Sequence, residues 1–87
     1  MIETIEYLTK LQIKLRGFMS RETEAGATQQ QVFEAVAHAM SDKLNTPTSP
    51  SWVANFAKSQ PRNLAHGSIA RTQNLEKLIE NHIHIWG

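Results

Sequence analysis

The sequence predicts an all-α fold, a small orthogonal bundle of four helices. Three observations carry this. Apolar residues recur at three- and four-residue steps through most of the chain, the period of a helix that buries one face. Thr28 and Ser49 stand just before two such segments, in the position of helix caps. The connections are short, which suits a bundle of antiparallel or crossing neighbours. With 87 residues, the chain is expected to form one domain, residues 1–87.

The first helix is expected over residues 4–21. Ile5, Leu8, Leu11, Leu15 and Phe18 or Met19 form its apolar stripe. Thr4 suits its cap. Glu3 and Glu6 lie near the positive end of the helix dipole, and Lys14, Arg16 and Arg21 near the negative end. Gly17 weakens the interior by about 1 kcal/mol relative to Ala, so a bend is expected there. Ile13 falls off the stripe and marks a second contact. Residues 22–27 read as a connection punctuated by Gly26. Thr28-Gln29-Gln30-Gln31 then has the form of a capping box, a hydroxyl with an amide three residues on that reaches back. Val32, Phe33, Val36, Ala39 and Met40 give the second helix its apolar face, over Gln29–Lys43.

Pro47 disfavours helix at Thr46, and Asn45 suits a turn. Ser49 then caps a short third helix. Pro50 fits its first position, where a missing N–H costs nothing. Val53, Phe56 and Ala57 line its apolar side, and Ser51, Asn55, Lys58 and Ser59 its polar side. Residues 60–67 read as a loop. Ser68 is expected to cap a last helix, in which Ile69, Thr72, Leu75, Leu78, Ile79 and Ile83 keep helical spacing. The tail His82-Ile83-His84-Ile85-Trp86 begins to alternate, as the end of that helix or as a short extended piece.

Composition narrows the function. The chain has no cysteine, so it holds no disulfide framework and no thiolate metal site. Its first residues are acidic and lack the basic region and apolar run of a signal peptide. No apolar run approaches the roughly 20 residues that span a bilayer, so a cytoplasmic protein without membrane contact is expected. Net charge is only +1, but it is unevenly spread. From Lys43 to Leu75 the chain carries Lys43, Lys58, Arg62 and Arg71 and no acid, which makes a local positive field.

Gly26-Ala27-Thr28-Gln29-Gln30-Gln31-Val32, then Ser49-Pro50-Ser51-Trp52-Val53-Ala54-Asn55-Phe56, then the terminal apolar helix, resemble the helix-turn-helix domains of phage Cro and repressor proteins across residues 26–83. In that family a Thr-Gln pair opens the first helix of the motif, and a Ser-x-Ser start opens the second. The resemblance implies that Gln29 and Gln30 meet DNA phosphate or bases. It implies that Val53 and Phe56 anchor the recognition helix, and that Ser49, Ser51, Trp52 and Asn55 lie toward the groove. Lys58 and Arg62 would stand near phosphates. The family joins its helices by about three or four residues, whereas here residues 42–48 intervene, so the motif is expected in an expanded form.

Side chains such as Asn, Gln, Ser and Arg read bases, and Lys and Arg neutralise phosphates. The expected function is therefore a sequence-specific DNA-binding transcriptional regulator, phage- or plasmid-like, with double-stranded DNA as partner. A homodimer is expected, and the tail at Ile83, Ile85 and Trp86 is expected to dock on the second subunit or on the body of the protein itself. The alternative is a non-enzymatic protein-binding module, such as a small phage inhibitor of a host protein, suggested by Ile13, Trp52 and Trp86. His38, His66, His82 and His84 show no metal-ligand pattern, and no nucleophile motif or phosphate-cradling glycine loop is present. No catalysis, cofactor, metal or small-molecule substrate is expected.

Overall fold

A computed structural model describes residues 2–64 and 69–81 of the chain. The order is α1 (Ile2–Glu24), α2 (Gln29–Lys43), α3 (Pro50–Lys58), α4 (Pro61–Leu64) and α5 (Ile69–Glu80). All the regular structure among the described residues is helical. The all-α expectation is met, with five helices where four were expected. The additional one, α4, is a single turn inside the segment expected as a loop. Pro61 starts it, and Asn63 N–H donates to the Gln60 carbonyl at 2.9 Å.

α1 is longer at both ends than its apolar stripe indicates. Thr4 lies within the helix and is not its cap, since the helical residues begin at Ile2. At the other end residues 22–24 continue the helix, and Ala25 N–H still reaches the Arg21 carbonyl at 3.1 Å. Gly17 does not interrupt α1, which runs as one helix from Ile2 to Glu24. A Cβ at Gly17 would meet only Arg21 Nη1, at 3.8 Å. Gly26 is different. Its φ of +113° is a conformation that favours glycine, and it turns the chain from α1 toward α2.

The capping box at α2 forms as expected. Gln31 N–H donates to Thr28 Oγ1 at 3.1 Å, and Thr28 N–H donates to Gln31 Oε1 at 2.9 Å. The long connection after α2 is tied down along its length. Asn45 takes a left-handed φ of +52°, which asparagine tolerates better than most residues. Thr46 N–H then donates to the Met40 carbonyl at 2.9 Å. Thr48 N–H donates to Ser41 Oγ at 3.0 Å, and Asn74 of α5 donates to Thr46 Oγ1. These bonds return the chain to the N-terminus of α3.

One hydrophobic core joins the helices. Leu8, Leu11 and Leu15 of α1, Val32, Val36 and Met40 of α2, Val53 and Phe56 of α3, and Leu75 and Leu78 of α5 are almost wholly buried. Burying each such large side chain stabilises the fold by about 1.5–3 kcal/mol. α1 packs against every other helix, and α2 packs on both α3 and α5. Ile5 and Ile69, expected on apolar faces, stay substantially exposed. Each lies near one end of its helix, where less of the core is left to cover it. Ser68 and the tail residues Ile83, Ile85 and Trp86 lie outside the described residues, as do His66, His82 and His84.

A polar seam closes α1 on α5. Lys14 Nζ sits 2.6 Å from Glu80 Oε1 and 3.6 Å from Glu76 Oε2. The hydrogen bond to Glu80 leads in raising the Lys14 pKa. Tyr7 Oη donates to Glu76 Oε1 at 3.0 Å. Burial first, then the Glu76 bond and the charges of Glu76 and Glu80, push the Tyr7 phenol up to about 12, against about 10 in water. The folded chain therefore keeps this proton to higher pH than the unfolded chain. The contribution is complete below about pH 10 and is lost as pH rises through about 12. Tyr7 is the single tyrosine, so absorbance titration of tyrosinate reads it directly. The expected midpoint for the folded protein is about 12, and a midpoint near 10 with the fold intact would break the assignment.

Candidate nucleic-acid interface

α3 is short, and helices of fewer than roughly 12 residues do not hold their shape alone in water. Its start is set locally. Ser49 Oγ accepts from Trp52 N–H at 3.2 Å, and Pro50 occupies the first turn. Its end is set by α1. Gln12, only 4% exposed, donates from Nε2 to the Phe56 carbonyl at 3.0 Å and also to the Ser59 carbonyl. Arg16, one turn on, donates from Nε to the Ala57 carbonyl at 2.9 Å. The last carbonyls of a helix lack partners within it, and here two side chains of a neighbouring helix supply them.

This anchoring fixes which side of α3 faces out. Val53, Phe56 and Ala57 are buried. Ser51, Asn55 and Lys58, at i, i+4 and i+7, are exposed and share one face. Asn55 Oδ1 accepts from Ser59 Oγ at 2.8 Å, which orients the amide. The Lys58 ammonium lies 5.6 Å from the Phe33 ring centroid, within cation–π range.

The other expected residues are dispersed. Ser49 is exposed, but its hydroxyl oxygen already serves the cap. Trp52 is half-buried and packs on the core. Its ring stacks on Phe56 with centroids 5.4 Å apart, and the Arg71 guanidinium lies 5.4 Å from it. Gln29 opens α2 and lines one groove with Lys58, between α1, α2 and α3. Gln30 and Arg62 are exposed and stand outside that groove.

Sequence reasoning missed Gln12 and gave Arg16 a different partner. Its place in the sequence puts Arg16 near the end of its own helix, yet its side chain serves the end of α3. A signal for Gln12 did exist. It falls one turn from Leu8 and beside Leu11, and a polar residue on a buried stripe needs a specific partner. Arg71 reads in the sequence only as one more cation, and its place beside Trp52 of α3 comes from packing.

His38 Nε2 and Asp42 Oδ2 are 2.8 Å apart on the exposed side of α2. No helix among the described residues is long and apolar enough to cross a membrane. No family model matches the chain, and no curated protein or solved structure matches it.

Replacing Gln12 by leucine keeps its bulk and removes both bonds. The buried Phe56 carbonyl and the part-buried Ser59 carbonyl then lose a donor, which costs about 1–3 kcal/mol. Urea unfolding should show this loss together with faster amide exchange at the end of α3. Unchanged exchange there would remove the anchoring role.

Proposed function

We propose that this chain is a small sequence-specific DNA-binding regulator of the Cro and repressor type, phage- or plasmid-like and cytoplasmic. α2 and α3 serve as an expanded helix-turn-helix within an orthogonal bundle, and α3 is the recognition helix. The observation that carries this is the outward face of α3. It presents Ser51, Asn55 and Lys58, which are hydrogen-bonding groups and a cation with no carboxylate among them.

Each has a task suited to its chemistry. An Asn amide pairs with the N6 and N7 edge of adenine in the major groove. The bond from Ser59 takes one lone pair of Asn55 Oδ1 and leaves a second lone pair to accept. The Ser51 hydroxyl suits either base edge. Lys58, Arg62 and Gln29 serve the backbone, and contacts of that kind set position without reading sequence. Gln30 stands one residue on and adds an amide at the start of α2. Trp52 supports this face from beneath more than it reads from it, since its ring is engaged by Phe56 and Arg71. A homodimer would bring two copies of α3 to a two-fold site.

A second reading is a protein-binding module with no affinity for DNA. Ile13 favours it, being 62% exposed in the middle of α1.

Binding to mixed-sequence duplex DNA at low and higher salt separates the two. A DNA regulator loses affinity steeply as salt rises. Lys58→Ala and Arg62→Ala should weaken all sequences alike and each reduce the salt slope by about 1. Asn55→Ala should cost about 1–3 kcal/mol on the preferred site and relax one base position. Absence of binding at low salt would overturn the DNA reading and leave the protein-binding one.

A further inference from the structure

The groove that joins Gln29 to Lys58 has a composition that recognition by α3 alone does not explain. It is open to solvent, encloses about 410 Å³, and is walled by Arg16, Met19, Ser20, Thr23, Gln29, Ala57 and Lys58. Two cations share it, and no carboxylate lines it. Among the described residues neither Arg16 nor Lys58 forms an ion pair. Like charges gathered without a counter-charge repel, and an anion between them relieves that repulsion.

We infer that this groove binds a phosphoryl group. The donors come from all three walls. Arg16 commits only Nε to the Ala57 carbonyl, so a guanidinium with five N–H groups keeps its terminal donors for a ligand. Lys58 brings an ammonium from the end of α3. Ser20 brings a hydroxyl from α1. The Thr23 hydroxyl spends its own proton on the Ser20 carbonyl at 3.0 Å, so Ser20 is the hydroxyl donor of this wall. Gln29 adds a side-chain amide at the first position of α2, where the helix dipole also favours an anion.

Donors from three directions suit a tetrahedral oxyanion. A planar carboxylate is satisfied by a single guanidinium fork. The volume lies within the roughly 300–1,000 Å³ of small-ligand sites, so a phosphate ester fits as well as one unit of a nucleic-acid backbone. The binding chemistry stands on the groove itself. Only its assignment to a DNA phosphate rests on the proposed function. In that case α1, through Arg16 and Ser20, is part of the DNA-contacting surface, and the region of contact extends beyond α2 and α3.

Backbone amide shifts of the intact chain, followed by NMR during titration with inorganic phosphate, test the inference. Sodium chloride at matched ionic strength is the control, and a duplex DNA titration is the second arm. Phosphate should move Ser20, Gln29 and Lys58 saturably, and chloride should not. Lys58→Gln and Ser20→Ala, both at exposed positions, should keep the melting temperature. Lys58→Gln should weaken phosphate about tenfold, as loss of one charged hydrogen bond does.

Shifts at these residues with phosphate but none anywhere with DNA would uphold the groove as a site for free phosphate esters and overturn the DNA reading. Shifts with both, in competition, would identify the ligand as a backbone phosphate. Shifts at these residues with DNA alone would uphold a phosphodiester ligand held within a longer contact. If neither titrant moves them beyond the chloride control, or if Lys58→Gln binds both as well as the unmodified chain, the inference is overturned, even if DNA binds elsewhere.

Discussion

The exposed face of α3 depends on how the carbonyls at its end are held. Phe56, Ala57 and Ser59 direct carbonyls toward α1, and Gln12 and Arg16 answer them. A nine-residue helix has little cooperativity of its own. Capping by Ser49 and Pro50 sets where it begins but not how it sits on the body of the protein. The two α1 side chains set that. Gln12 is especially constraining, because it stands among Leu8, Leu11 and Leu15 and is buried with them. Rotating α1 to free Gln12 would expose the leucines. The docking of α3 is therefore bound to the same core that joins α1 to all its neighbours.

What the sequence discloses and what it conceals divide along this line. The caps at Thr28 and Ser49 were legible because each is a bond between residues three apart, and such patterns are written in local order. The buried faces of α2 and α3 were legible from period alone. The ends of α1 were not. Thr4 looks like a cap, but the helix begins before it. Residues 22–24 look like a connection, but they continue α1, and the Thr23 and Glu22 carbonyls accept from Gly26 and Ala27. α4 was missed because one turn is too short to show a period.

The candidate site was legible as a face and not as a neighbourhood. Ser51, Asn55 and Lys58 follow from helical spacing. The meeting of Gln29 with Lys58, and of both with Arg16, is a product of tertiary packing across 42 positions of chain between Arg16 and Lys58. Trp52 shows the same limit. Its type and place suggest a partly buried ring, as the structure has it, but not that Phe56 and Arg71 are the groups that engage it. Charge followed the same course. A net charge of +1 conceals a sorting in which Glu76 and Glu80 serve the α1–α5 seam. The groove beside α3 keeps its cations apart from them.

The exposed residues of α3 hold little of the structure together. Ser51, Asn55 and Lys58 lie outside the buried core, and the end of the helix is fastened through main-chain oxygens that any residue carries. Backbone carbonyls are indifferent to the identity of the side chain on the same residue. The outward positions of α3 therefore form an exchangeable cassette. Drift or selection at these three sites can change the groups this face presents while Gln12 and Arg16 go on gripping the same oxygens. The freedom to change this surface without refolding belongs to α3 because its anchor was built on α1.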